Sequence, residues 1–357
     1  MKRTIVMTGG GSAGHVTVNL ALIPHFSKDG WDIHYIGSYE GIERQLISRL
    51  DKVHYHAIST GKLRRYLDWN HLKDPFKVIK GCYQAYRLIR KIKPDVIFSK
   101  GGFVAVPVVV AGWLNKIPVI MHESDLTPGL ANRISFPLAE KLCVTFPETV
   151  EQLASPKAVY VGAIVREEIM HGDREQGMRF SQMQRVKPII MVMGGSLGAS
   201  SINQAVRTHL HTLLQRYQII HICGKGNLDP SHDAACYKQY EYVNEELADL
   251  LAITDIMISR AGSNSIFEFV SLHKPMLLIP LPKESSRGDQ ILNAESFAKA
   301  GYCEVLADNQ LSGDLFVKTI DKLYDNRFTY IQEMKKYNAD NNLNKLISII
   351  KNHAKRK

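Results

Sequence analysis

The residues able to do chemistry lie in a few short clusters, most of them beside glycine. The densest runs Ser259-Arg260-Ala261-Gly262-Ser263-Asn264-Ser265-Ile266-Phe267-Glu268. Small residues with free backbone donors open a helix there, a ready seat for a phosphate. Glu268 follows within that helix, where a carboxylate can accept hydrogen bonds from both hydroxyls of a ribose. The same letters, Ser265-x-x-Glu268, also write a capping box, and spacing leaves the two readings level. Further on, Arg287-Gly288-Asp289-Gln290-Ile291-Leu292-Asn293 sets amides and a carboxylate at a loop-to-helix junction. These suit sugar hydroxyls, and equally suit caps and turns.

Two glycine clusters, Gly9-Gly10-Gly11-Ser12-Ala13-Gly14-His15 and Gly194-Gly195-Ser196-Leu197-Gly198-Ala199, each follow an apolar run. Backbone N–H groups and the helix dipole at such turns meet diphosphates; the alternative is that the glycines only permit a tight turn. Gly9-x-Gly11-x-x-Gly14 formally matches the dinucleotide fingerprint. The ribose-binding acid expected at the end of the second strand is missing, however, where the chain reads Tyr35-Ile36-Gly37-Ser38, which argues against a nicotinamide enzyme. A neutral His15 could take a proton from an attacking hydroxyl, against the plain reading of a structural histidine at a helix start. His122-Glu123-Ser124-Asp125 supplies a second base candidate at the carboxyl end of a strand, where open α/β sheets bind ligands.

These clusters need a scaffold, and the rest of the sequence describes one. Strand-like runs alternate with helix-period segments at Thr4 to Met7, Ile33 to Ile36, Val96 to Phe98 and Val119 to Met121. The series starts again at Pro188 to Met193, Ile219 to Ile222, Ile256 to Ile258 and Met276 to Pro280. That is the βαβ pattern of a parallel sheet, written twice. We expect an α/β protein of two doubly wound, Rossmann-like domains, residues 1–163 and 164–340, facing across a cleft. A hinge is expected near Gly162 to Arg166, and a final helix, 341–357, crosses back to the first domain. A length of 357 residues suits two cores.

Five cysteines without C-x-x-C spacing exclude a zinc site and a disulfide framework and point to the cytoplasm. The N-terminal apolar run is too short for a signal peptide, and no run of about 18 apolar residues suggests a membrane span. A net charge of +10 favours a polyanionic partner. The basic residues are not gathered with aromatics into a nucleic-acid reading surface, so no nucleic acid is expected. Between Phe76 and Lys93, Ile79, Cys82, Tyr83, Tyr86 and Ile89 share one helical face and Lys77, Lys80, Arg87 and Lys91 another. This is a pattern for anionic lipid, or for a surface helix packed on its own domain.

Taken together the motifs resemble the MurG family, the GT-B-fold transferases that convert lipid I to lipid II in peptidoglycan synthesis. The resemblance covers nearly the whole chain. It runs through Gly10 to His15, Lys100-Gly101-Gly102-Phe103-Val104-Ala105-Val106-Pro107, His122-Glu123 with Gly129-Leu130-Ala131-Asn132-Arg133, Gly194 through Asn203, and Arg260 through Glu268. It implies an inverting transfer of N-acetylglucosamine from UDP-N-acetylglucosamine to the muramyl 4-hydroxyl of an undecaprenyl-linked acceptor, lipid I. His15 or Glu123 would be the base. Arg166, Ser196, Asn203, Ser263, Asn264, Glu268, Gln290 and Asn293 would hold the donor, with Glu268 on the ribose and Gln290 on the sugar. Gly11, Ser12, Gly14, Gly101, Gly102 and Asp125 would face the acceptor. Ile79, Tyr83, Tyr86 and Trp113 would form a membrane-facing patch at the cytoplasmic side of the cell membrane, on anionic lipid. No cofactor is implied, and without an Asp-x-Asp carrier no metal is expected. The chain departs from the family's pattern at Asp125, at Ala163-Ile164 and at Asp289. A UDP-N-acetylglucosamine 2-epimerase is the rival enzyme with the same fold.

Overall fold

The computed structural model describes residues 2–12, 14–61, 74–184, 186–195, 198–337 and 341–355. The chain divides into two compact units, residues 1–165 with 339–357, and residues 166–338.

The first unit holds a seven-stranded sheet: β1 Thr4–Thr8, β2 Asp32–Ser38, β3 Val53–Ile58, β4 Val96–Ser99, β5 Val119–Glu123, β6 Lys141–Val144 and β7 Ala158–Tyr160. All pair in parallel, in the order β3-β2-β1-β4-β5-β6-β7. A parallel sheet covered on both faces needs near-continuous apolar strands, and Val-Ile-Phe-Ser of β4 and Val-Ile-Met-His-Glu of β5 are buried at every position. Alternate residues feed two cores. Val96, Phe98 and Ile120 pack with helix Gly14–Lys28, while Ile97, Val119 and Met121 pack with Ala85, Ile89, Val108 and Val109. Helix Asn342–His353 returns to this unit, burying Leu346, Ile347 and Ile350 in the first of these cores.

The second unit repeats the plan with six parallel strands: β8 Ile189–Met193, β9 Gln218–Ile222, β10 Tyr237–Tyr240, β11 Ile256–Ser259, β12 Met276–Leu278 and β13 Cys303–Val305, in the order β10-β9-β8-β11-β12-β13. In each unit the strand order reverses once, between β1 and β4 and between β8 and β11. That is the point where doubly wound sheets bind ligands, outside the carboxyl ends of the strands. The glycine turns and polar clusters singled out in the sequence follow these four strands and their neighbours β5 and β12.

Candidate active site

In the second unit, the turns leaving β8 and β11 line a cavity of about 460 Å³, together with Gln290 and Asp308. A Cβ added at Gly195 or Gly262 would meet open space, so the backbone there is approachable. Helices Ser200–Thr208 and Ser263–Ser271 begin at this cavity, adding the positive ends of their dipoles. Ser263 is its helix's first residue and is buried; Asn264 and Ser265 follow half-buried. Ser196 lies outside the described residues.

Glu268 sits in the second turn of helix Ser263–Ser271, whose N-cap is Gly262 with no side-chain cap bond. The capping-box alternative is therefore not the one formed. Its carboxylate is held by Arg166, Nε to Oε1 at 2.8 Å and Nη2 to Oε2 at 3.1 Å. Each oxygen of a fork-bound carboxylate keeps a second acceptor direction, so the clamp aims the group without consuming it. Sequence reasoning missed an ion pair in the cavity wall itself. Arg260 Nη1 donates to Asp308 and to the Ile279 carbonyl at 3.1 Å, Nη2 donates to Ser201 Oγ at 2.8 Å, and Ser201 Oγ donates to Asp308 Oδ1 at 2.8 Å. With Ser201 and Asp308 107 positions apart in the chain, no local motif could reveal it.

Two expected donor contacts turn out to be anchors. Asn203 is buried, its Nδ2 donating to the Cys223 carbonyl at 2.9 Å and its Oδ1 facing His221 Nε2 at 3.0 Å. Asn293 is fully buried with Nδ2 toward the Ala261 carbonyl at 3.3 Å. Both brace the turns from within. Gln290 lines the cavity, its Oε1 accepting from the Leu281 amide at 3.1 Å. Burial, with Arg207 nearby, holds His221 at about 3, so the Asn203–His221–Tyr237 chain is neutral.

In the first unit the turns are filled by the protein itself. Glu43 is fully buried and accepts from the Gly11 amide at 3.2 Å, from the Ser38 amide at 3.0 Å and from Ser38 Oγ at 2.5 Å. The Gly11 N–H, expected to face the acceptor's diphosphate, is thus already bonded to a carboxylate, which would repel a phosphate. Ser12 and Gly14 lead into helix Gly14–Lys28, and Ser12 Oγ lies 3.2 Å from His15 Nδ1. Gly102 rests on the Gly10 carbonyl, where a Cβ would collide, and a Cβ at Gly101 would come 2.8 Å from Asn132 Oδ1.

Glu123 is also corrected. Its Oε1 accepts from the amides of Ser124 at 2.9 Å and Asp125 at 3.1 Å, and its Oε2 from Gly129 N at 2.8 Å and Asn132 Nδ2 at 2.9 Å. Four donors occupy the four acceptor sites of a carboxylate, so this group pins its loop and has no lone pair left for a substrate proton. Burial outweighs Lys100 and those amides in raising its pKa. His122 is buried with both ring nitrogens unpartnered among the described residues, and burial plus Lys100 push it well below the ordinary range. His15 is the other base candidate. Its Nδ1 lies 2.9 Å from the Gly10 carbonyl, which can only accept, so in the neutral ring the lone pair is on Nε2.

Two family models match, the glycosyltransferase family 28 N-terminal domain over residues 5–144 and its C-terminal domain over residues 189–352. The chain belongs to glycosyltransferase family 28. A relative from Geobacillus thermodenitrificans, named UDP-N-acetylglucosamine–N-acetylmuramyl-(pentapeptide) pyrophosphoryl-undecaprenol N-acetylglucosamine transferase, is 57% identical over 99% of this chain and 100% of its own length. Among solved structures, Acinetobacter baumannii MurG superposes with a TM-score of 0.77 at 22% identity, covering 99% of this chain and all of the other. A putative UDP-N-acetylglucosamine 2-epimerase from Listeria monocytogenes superposes at 0.67 with 11% identity, covering 99% and 97%. At those identities structures speak for the fold, and the fold is the two-domain GT-B fold.

In this family 28 chain the basic helix of the first unit spans Asp74–Ile92. Phe76, Ile79 and Tyr83 are exposed beside Lys77, Lys80 and Arg87, whereas Ala85 and Ile89 are buried. Tyr86, expected on the outward patch, is half-buried against the Ile89 core; the apolar stripe is wider than the core contact, and Tyr86 falls on its inner side. Trp113 and its neighbour Leu114 are exposed. Among the described residues no helix is long and apolar enough to cross a membrane.

Proposed function

We infer that this chain is an inverting glycosyltransferase that moves N-acetylglucosamine from UDP-N-acetylglucosamine to the 4-hydroxyl of the muramyl sugar of lipid I, giving lipid II and UDP in peptidoglycan synthesis. The observation that carries this is the 57% identity, over 99% of this chain and the full length of the relative, to a transferase of that name. The glycine-lined cavity at the start of the helix that carries Glu268, suited to a nucleoside diphosphate, supports it.

The reaction is an in-line displacement. The 4-hydroxyl attacks the anomeric carbon with its proton passing to His15 Nε2, the transition state gains oxocarbenium character, and UDP leaves with inversion. The N–H groups at the starts of helices Ser200–Thr208 and Ser263–Ser271 meet the charge that develops on the diphosphate. Glu268 takes the ribose hydroxyls and Gln290 the sugar. Gly101, Gly102 and Asp125 border the acceptor. Phe76, Ile79, Tyr83 and Trp113 with the neighbouring lysines rest on anionic lipid at the cytoplasmic face, holding the enzyme peripherally where its lipid-linked substrate lies.

Incubation with labelled UDP-N-acetylglucosamine and a short-chain lipid I analogue tests this reading. Labelled disaccharide product is expected. Donor turnover without acceptor, releasing the 2-epimer, would instead establish the epimerase.

A further inference from the structure

Glu43 belongs to no motif, yet it is the best-connected buried carboxylate beside the first glycine turn. It lies in the short helix Ile42–Ile47 after β2 and is fully buried. Three glycines make room for it, since a Cβ at Gly10 or Gly41 would collide with its carboxylate and one at Gly37 would come 3.0 Å from its Cγ.

What it touches matters more. The Gly11 N–H that donates to Glu43 Oε2 and the Gly10 carbonyl that faces His15 Nδ1 belong to one peptide unit. A trans peptide is planar, with its N–H and C=O pointing in opposite directions, so fixing one end fixes the other. Flanked by two glycines, with Gly11 at φ +86°, this peptide has little of its own to stop it from turning over. Glu43 supplies the stop. We propose that Glu43 is a positioning residue for His15: through the Gly10–Gly11 peptide it holds the imidazole in the tautomer whose lone pair is on Nε2, and polarises the Gly10 carbonyl to strengthen that base. The arrangement does the work of a carboxylate bonded directly to a catalytic imidazole, with a peptide group interposed. It rests on the reading of His15 as the base.

The neighbourhood fits. Tyr35 and Tyr55 face Glu43, and burial together with that carboxylate raises both phenols, so they stay neutral donors. Tyr35 donates to the Gly9 carbonyl at 2.6 Å and Tyr55 to the Ser38 carbonyl at 2.6 Å, bracing the turn on both sides of Glu43. Arg44, on the same short helix, donates instead to the Tyr39 carbonyl. Gly102 of the second turn packs on the Gly10 carbonyl, so a flipped peptide would disturb that contact too.

The test is Glu43→Gln, which keeps the shape but cannot accept from Ser38 and Gly11 with both ends. Its kcat on the short-chain lipid I analogue falls about 10- to 100-fold, the KM for UDP-N-acetylglucosamine stays within about twofold, and the acid limb of the kcat profile moves to lower pH. In a His15→Ala background the same change adds nothing further. Additive losses in the double variant, or a raised donor KM without loss of kcat, would overturn the proposal. If His15→Ala alone keeps full kcat, the base assignment fails instead, and that single variant tells the two failures apart. Should the glutamine variant not fold, nitrogen NMR of His15 in the unmodified protein decides. A ring protonated at Nδ1 supports the proposal, and one protonated at Nε2 contradicts it.

Discussion

The two units place glycine turns at the same point of the same fold and then treat them in opposite ways. In the second, the turns leaving β8 and β11 border an open cavity of about 460 Å³, and the nearby carboxylate Glu268 is clamped by Arg166. In the first, Glu43 and Glu123 fill the turns from inside, taking the Gly11, Ser124, Asp125 and Gly129 amides. The lesson is that a glycine turn after a parallel strand is only a place. Whether it receives an anionic ligand or fixes a side chain depends on whether the protein has already supplied the carboxylate.

The sharpest way to break this contrast is at His15, the base candidate that Glu43 is proposed to position. His15→Ala is expected to lower kcat by about 10²- to 10⁴-fold with little change in donor KM. Steady-state kinetics over both substrates checks it, and a loss confined to donor KM would erase the division of labour. The second unit is probed by Glu268→Ala. Removing one partner strands a largely buried Arg166, and since that guanidinium is a third exposed the cost is about 2–3 kcal/mol, at or below the low end for a buried pair. A lowered Tm together with a donor KM raised at least about tenfold is expected. An unaltered KM would remove the ribose assignment.

A comparable loss of stability comes from acid. His221 of the second unit has its folded-state pKa depressed to about 3, so protons bind the unfolded chain more readily and stability is lost as pH falls below about 6.5. At pH 4 this amounts to about 3 kcal/mol. In the first unit His34 and His56 are bonded to each other at 2.9 Å, with Asp32 on the far side of His34. Both are shifted down by burial, first of all, and His56 also by His34, His54 and Lys91, so they act in the same direction. Urea titrations from pH 7 to pH 4 should show falling stability, with His221→Gln reducing the slope. The smallest expected change is Ile79→Ser, which should weaken binding to vesicles containing anionic lipid about tenfold, one buried aliphatic side chain's worth. Flotation reads it, and undiminished binding would take that helix out of the membrane reading.

Much of this was legible in the sequence because it is local. Strand runs such as Val96 to Phe98, the glycine turns after them and the helical period of 76–93 are all set by neighbours a few residues away. What the sequence hid is long-range. Glu43 carries no pattern in a six-residue helix, and the Ser201–Arg260–Asp308 set joins three distant segments. Asn203, Asn293 and Glu123 show the limit of residue type: a polar group at a helix start or strand end can face a ligand or brace the interior, and only packing tells which. Tyr86 shows the same limit for period, which defines a stripe but not where the core stops.

The contrast between the turns is tested most directly by hydrogen exchange of the full-length protein with and without UDP. The account predicts slowed exchange at 198–204 and 262–268, at the donor cavity of the second unit, and no change at the 9–15 and 100–103 turns of the first. Protection at the first unit's turns, with the second unit's unaffected, would contradict it.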